Sequence, residues 1–193
     1  FSYPLMALQL NLDNKKILYY LQKLKYLQNK ICNESYISKN NKILKDKFLS
    51  KEKKIFETSI KNYLKVLHYT KKFKILNSWG TKTGLNGESL SHVHSNTWIS
   101  AVYYPQFNES FSIIFEKNME GFMYNVDFDD NNSIYSLKEF KVMPQENTLL
   151  IFPSHLSHKI AKNTSDRLRY SLSFNINPIG TFNKGSDCEI TFK

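Results

Sequence analysis

The stretch Ser91–Tyr104, "SHVHSNTWISAVYY", joins two signals that rarely meet in so short a span. Its second half is rich in β-branched and aromatic residues, the composition of a strand packed on a pleated surface. Its first half places His92 and His94 two residues apart where that β-type run begins. On a strand, residues i and i+2 leave the same face roughly 6.5–7 Å apart, so two imidazoles spaced this way can converge on one metal ion.

Working outward, the texture of "TWISAVYY" recurs downstream of "KKFKILNSW". Short apolar and aromatic runs follow one another between turn signals: "FSIIFEK", "FMYNVDF", "SIYSLKEFKVM", "NTLLIFPS" and "RLRYSLSFNI". Many short strands at regular spacing indicate a mainly β sandwich or barrel. Upstream the period changes. Ile17, Leu18, Leu21, Leu24 and Leu27 recur at helical spacing from Asp13 to about Lys30, and Ser50 opens a second such run through Ile55, Phe56, Ile60, Tyr63, Leu64 and Leu67. The polar "NESYISKNNKILKDKFLS" between them reads as a loop. The expected organisation is a single domain over residues 1–193, mainly helical over 1–72 and β-rich over 73–193.

Composition excludes several classes. With 193 residues, 41% hydrophobic and 15% aromatic, the chain has ample material for one packed core and is no disordered segment. No run approaches the 18–20 apolar residues of a membrane span, and the first residues lack a signal-peptide layout. Cys32 and Cys188 have no CxxC neighbour and form neither a zinc motif nor a disulfide framework, so a reducing cytoplasm is the expected location. The net charge of +10 is uneven: residues 1–75 hold 17 lysines against 5 acidic residues, whereas residues 76–193 hold 10 basic and 12 acidic ones. The lysines lie along expected helices without an interleaved aromatic stacking surface, which reads as solvated helix faces before a nucleic-acid platform.

Four of the five histidines fall in two clusters on β-type segments: His92 with His94, and His155 with His158 after "NTLLIFPS". His68, on a helical run, is the ordinary one. Imidazole is the commonest ligand for first-row metals, so an H-x-H pair joined by a distant histidine is a candidate metal site. Arginine adds a second signal. The chain has 25 lysines and two arginines, both in "DRLRY". A chain that meets its need for positive charge with lysine keeps arginine where a planar fork is wanted, as in two-bond recognition of a carboxylate. Arg169 is the candidate, with Ser171 at i+2 able to donate to the same carboxylate, while Arg167 suits a surface ion pair.

In this order, "SW" at Ser78–Trp79, "SHVHSNTWISAVYY", "LLIFPSHLSHKIAKN" and "RYSLSFN", together with the opening "FSYPLM", resemble the Fe(II)/2-oxoglutarate oxygenases of bacteria and marine phages, relatives of the prolyl 4-hydroxylase group. The resemblance implies a double-stranded β-helix (a jelly roll, cupin-like) with the N-terminal helices packed on one side. It implies Fe(II) and 2-oxoglutarate as cofactors, His92 and His158 as metal ligands, and Arg169, with Ser171, as the grip on the far carboxylate of 2-oxoglutarate. It implies a dioxygenase that hydroxylates a C–H bond with release of succinate and CO2, acting in the host cytoplasm if the chain is phage-encoded. The acidic ligand of the family pattern is missing, because its place is taken by His94. Three arrangements stay open: a three-histidine site, a two-histidine site completed by water, and a carboxylate from elsewhere such as Glu88. Competing readings are a cupin-like metalloprotein that does not use 2-oxoglutarate, a three-histidine zinc hydrolase, and a basic phage-type structural or nucleic-acid-binding protein. A peptide residue, a nucleobase and a small molecule are all open as substrate.

Overall fold

The computed structural model of the chain describes residues 3–29, 32–117 and 137–193. The run "FMYNVDF" and the first part of "SIYSLKEFKVM" lie outside the described residues. In chain order the elements are β1 (Met6–Gln9), α1 (Asn14–Lys23), β2 (Tyr26–Gln28), β3 (Ser35–Ser38), α2 (Ser50–Val66), β4 (Phe73–Thr83), β5 (Ser89–His92), β6 (Ile99–Tyr104), β7 (Ile113–Glu116), β8 (Glu139–Val142), β9 (Thr148–Pro153), β10 (His158–Ile160), β11 (Arg169–Pro178), β12 (Gly180–Phe182) and β13 (Ile190–Phe192). Two single 3-10 turns, Ile43–Lys45 and Lys47–Leu49, lead into α2.

Eleven strands form two layers, a seven-stranded sheet in the order β1-β9-β6-β11-β4-β3-β2 and a four-stranded sheet in the order β5-β10-β7-β8, and β12 and β13 pair separately. Every pairing within them is antiparallel. This is a mainly β jelly roll with helices on one side. Alternation along the central strands explains the layering. On β6, Ile99, Ala101 and Tyr103 join one core with Ile17 and Leu21 of α1 and Phe56 and Ile60 of α2. Val102 and Tyr104 point the other way, into a second core with Phe115 and Phe152. Leu149 and Ile151 of β9 join the first core and Leu150 and Phe152 the second. Strands covered on both faces read as continuous apolar runs, which is how "WISAVYY" and "TLLIFP" read. No helix among the described residues is long and apolar enough to cross a membrane.

Three sequence expectations give way here. Helix α1 ends at Lys23 instead of near Lys30: Leu24 is extended (ψ 150°), and the Tyr26 hydroxyl donates to the Leu21 carbonyl at 3.0 Å, satisfying an oxygen that the next turn would have used. The segment read as a loop contains β3, whose Ser35 and Ser38 are buried, and Ser38 Oγ accepts from Gly80 N–H at 3.0 Å. Small polar residues satisfied by backbone partners gave that strand no apolar alternation to detect. The third concerns the opening stretch. His92 closes β5 in the four-stranded sheet, and Val93–Trp98 cross to β6 in the other, so "HVH" and "WISAVYY" are not one strand.

Candidate metal centre

β5 and β10 are neighbours whose register sets His92 directly opposite His158. Their side chains therefore rise side by side, with ring centroids 4.4 Å apart. His94 lies two residues beyond the strand end, tied down by its backbone N–H to the Ser154 carbonyl at 2.9 Å. Its ring stacks on His92 at 5.4 Å and meets His158 edge-on at 5.2 Å. One ligating nitrogen from each ring lies within 4.8 Å of the other two, and no carboxylate joins this group among the described residues.

Hydrogen bonding decides which nitrogen each ring offers. His92 Nδ1 lies 2.8 Å from the Leu90 carbonyl and His158 Nδ1 lies 2.9 Å from the Leu156 carbonyl, each two residues back along its own chain. A carbonyl oxygen only accepts, so both Nδ1 atoms carry the proton and both Nε2 atoms keep a free lone pair. His94 Nδ1 meets the Asn175 side-chain oxygen at 2.9 Å and Ser100 Oγ at 2.8 Å. Burial pushes His158 down to about 3, with the neighbouring His92 and His94 lowering it further against the opposing bond to Leu156. Burial likewise pushes His94 down. Both rings are held neutral, the form that binds metal.

The histidines open onto a cavity of about 270 Å³ between the two sheets. Arg169, the first residue of β11, sits opposite Thr83 of β4 and is only 4% exposed. Arg169, Ser171 and Ser173 alternate along β11 and all line the cavity, while Tyr170 and Leu172 between them, and Phe174 after them, enter the helix-side core. The guanidinium lies over the Phe111 ring, with Cζ 3.6 Å from its centroid. Among the described residues Arg169 Nη1 has no hydrogen-bond partner, and neither has the buried hydroxyl of Tyr104. Burial pushes Arg169 down to about 9, opposed by Tyr104. A buried cation costs several kcal/mol unless paired, and Phe111 offsets only about 2 kcal/mol of that. An unmet guanidinium N–H and an unmet phenol hydroxyl in one chamber are the donors a carboxylate requires.

The remaining candidates fall elsewhere. Glu88 lines the cavity yet stands outside the histidine group. His155 is exposed beside Tyr3, His68 lies just past α2 with φ 55°, and Arg167 is exposed in the turn before β11. Asn175 and Ser100 carry no signal in residue type alone, and Tyr104 belongs both to the second core and to the cavity lining. Parity along "RYSLSFN", with Ser171, Ser173 and Asn175 in step with Arg169, was the available signal for Asn175.

A family profile described as "Putative 2OG-Fe(II) oxygenase" matches residues 77–175, a span that holds all three clustered histidines, Arg169 and Asn175. The chain belongs to this oxygenase family. Three solved structures share the fold of the oxygenase. A prolyl-4-hydroxylase from Pseudomonas putida superposes with a TM-score of 0.62 at 13% identity, covering 93% of this chain and 95% of that one. The non-heme α-ketoglutarate-dependent epimerase SnoN from nogalamycin biosynthesis gives 0.63 at 10% identity, covering 96% and 81%. HygX from Streptomyces hygroscopicus, crystallised with nickel, 2-oxoglutarate and hygromycin B, gives 0.59 at 9% identity, covering 91% and 83%. No curated relative matches the chain by sequence. The donor set of the oxygenase fits a divalent first-row metal, since three imidazoles present converging nitrogens. The orphaned Arg169 fits the dianionic cosubstrate.

Proposed function

We propose that this oxygenase holds Fe(II) through Nε2 of His92, His94 and His158, binds the far carboxylate of 2-oxoglutarate through Arg169 with Ser171 and Tyr104, and hydroxylates a substrate that enters the same chamber. Iron and cosubstrate when bound supply the oxidation: 2-oxoglutarate and O2 become succinate and CO2, and one oxygen atom becomes a hydroxyl on a substrate C–H bond. The chain's own residues do the rest. The Leu90 and Leu156 carbonyls hold the Nδ1 protons of the His92 and His158 rings, so Nε2 is the atom each ring turns to the metal. Arg169 offers a fork whose charge is uncompensated until the carboxylate arrives, and Tyr104 donates its hydroxyl to the same anion. Phe111, Phe152, Ile113 and Val102 line the chamber and exclude water.

The observation that carries the reading is the coexistence, in one cavity, of three pre-oriented imidazoles and a buried arginine with an unmet donor. A cupin-like metalloprotein without 2-oxoglutarate would leave Arg169 with no role, and Glu88 gives no sign of completing the metal site. At about 270 Å³ the chamber falls below the roughly 300–1,000 Å³ of clefts that bury drug-sized ligands. Cosubstrate and a small protruding group of the substrate suffice to fill it, which suits a peptide side chain, a nucleobase or a compact metabolite. The whole chain acts as one domain in this reading, and the unpaired Cys32 and Cys188 suit a reducing cytoplasm.

The test is anaerobic titration of Fe(II) and 2-oxoglutarate into the wild type and the His92→Ala and His158→Ala variants, followed by the visible charge-transfer absorption of the ternary complex. Loss of that absorption in both variants is expected. Unchanged iron affinity in both would overturn the assignment.

A further inference from the structure

We propose that Asn175 is the positioning residue that makes His94 a metal ligand, by accepting its Nδ1 proton and so directing the Nε2 lone pair into the site. The proposal rests on the metal-site reading above. His92 and His158 are each oriented by a backbone carbonyl two residues back, whereas His94, in the crossing loop, has no such carbonyl bond. The partner that can only accept from it, Asn175 Oδ1, comes from a strand 81 residues away in sequence.

The hydrogens around this acceptor run in one direction. Asn175 Oδ1 lies 2.9 Å from His94 Nδ1 and 2.9 Å from Ser100 Oγ, and an amide oxygen has two lone pairs, one for each donor. Ser154 Oγ lies 2.8 Å from Ser100 Oγ and gives its proton there, while Ser100 gives its own to Asn175. With its proton committed to Asn175, Ser100 Oγ faces His94 Nδ1 at 2.8 Å only as a second acceptor. Remove the amide oxygen and the Ser100 hydroxyl is released to donate to Nδ1. That would move the ring proton to Nε2 and close the atom that faces the metal. Asn175 is 7% exposed and Ser100 1%, so water does not replace either partner easily. Asn175 also shares a strand with Arg169: β11 carries the anchor for the cosubstrate at its start and the anchor for the third ligand six positions on.

The test uses Co(II), which reports its coordination by visible absorption and by paramagnetically shifted exchangeable protons, with no turnover needed. The variants are Asn175→Leu, Asn175→Asp, His94→Ala and the His94→Ala/Asn175→Leu pair. Asn175→Leu is expected to weaken Co(II) binding about 10–100-fold, the usual effect of losing an outer partner of a metal-bound histidine. It should also remove one of three shifted ring N–H signals. Asn175→Asp keeps the acceptor and should retain wild-type affinity and all three signals. In the His94→Ala background, Asn175→Leu should change nothing further. Equal losses in the Leu and Asp variants, or an additive loss in the double variant, would make Asn175 a structural residue only and overturn the proposal. Wild-type affinity in Asn175→Leu would do the same. If instead the wild type shows no shifted ring protons and His92→Ala and His158→Ala bind Co(II) unchanged, the metal-site reading itself fails and this proposal falls with it.

Discussion

Arg169 and Tyr104 each bury a polar atom that has no hydrogen-bond partner among the described residues. A buried hydroxyl without a partner forfeits about 1–3 kcal/mol, and Tyr104→Phe removes that group while keeping the ring. The variant is therefore expected to melt no lower than wild type in the absence of ligand, yet to bind 2-oxoglutarate about three- to tenfold more weakly, measured by calorimetry. Arg169→Lys replaces a fork by a point charge and should lose about 1.5–3 kcal/mol of cosubstrate affinity, roughly ten- to hundredfold. Arg167→Lys, in the exposed turn, should change little; if the two lysine variants titrate alike, the role given to Arg169 is wrong. His94→Asp asks whether a carboxylate at this position would reach the metal of the proposed site: the Asp variant should retain iron where His94→Ala loses it, read by metal content after gel filtration. The histidines and Arg169 stood out in the sequence because their types are scarce and chemically loaded. Tyr104 did not, since nothing in an apolar run marks which aromatic hydroxyl will lack a partner.

At the scale of elements, one alternation does most of the building. β11 sends Leu172, Phe174 and Ile176 into the helix-side core and Arg169, Ser171 and Ser173 into the cavity, so the strand that closes the core also furnishes the site. The long central strands and α2 were legible in the sequence because both faces, or one helical stripe, are apolar. Strands β2 and β3 were not, because three- and four-residue strands with exposed Leu27 and Ile37 are held by their partners instead of by pattern. Their hairpin nonetheless walls the cavity through Cys32, Tyr36 and Ile37. Gly87 sits where this wall meets the turn after β4: a Cβ there would lie 2.5 Å from Thr83 Cγ2 and 2.6 Å from the Glu34 carbonyl oxygen. One of those neighbours is backbone and cannot swing aside. Gly87→Ala is expected to destabilise by about 1–3 kcal/mol in urea unfolding. Because Thr83 pairs with Arg169, the variant should weaken cosubstrate binding as well.

For the whole molecule, the seven-stranded sheet is a partition. The two helices lie on one side of it and the chamber lies on the other, which places Lys15, Lys16 and Lys23 of α1 and the five lysines of α2 on elements away from the chemistry. Composition revealed that charge but not its separation, since only the sheet order shows which face each element covers. A cavity holding a buried guanidinium whose Nη1 has no partner among the described residues also couples stability to occupancy. Iron with 2-oxoglutarate at about one hundred times the dissociation constant should add roughly 2.7 kcal/mol, which for a chain of this size is a rise of about 5–11 °C in melting temperature. Arg169→Met should abolish most of that rise without lowering the melting point of the ligand-free protein, a pairing that calorimetric melts with and without cosubstrate would reveal.

The two backbone-tethered histidines also bear on how this site can change over generations. A carbonyl belongs to every residue type, so no substitution at Leu90 or Leu156 deletes the acceptor that orients His92 or His158. His94 alone depends on the identity of a distant side chain, and Asn175 is one nucleotide from aspartate in either of its codons. Heritable drift in the electronic character of the metal therefore has one easy entrance. In the proposed site, lineages of this fold that acquire new reactivity should carry their changes at positions 94 and 175 while His92 and His158 stay fixed.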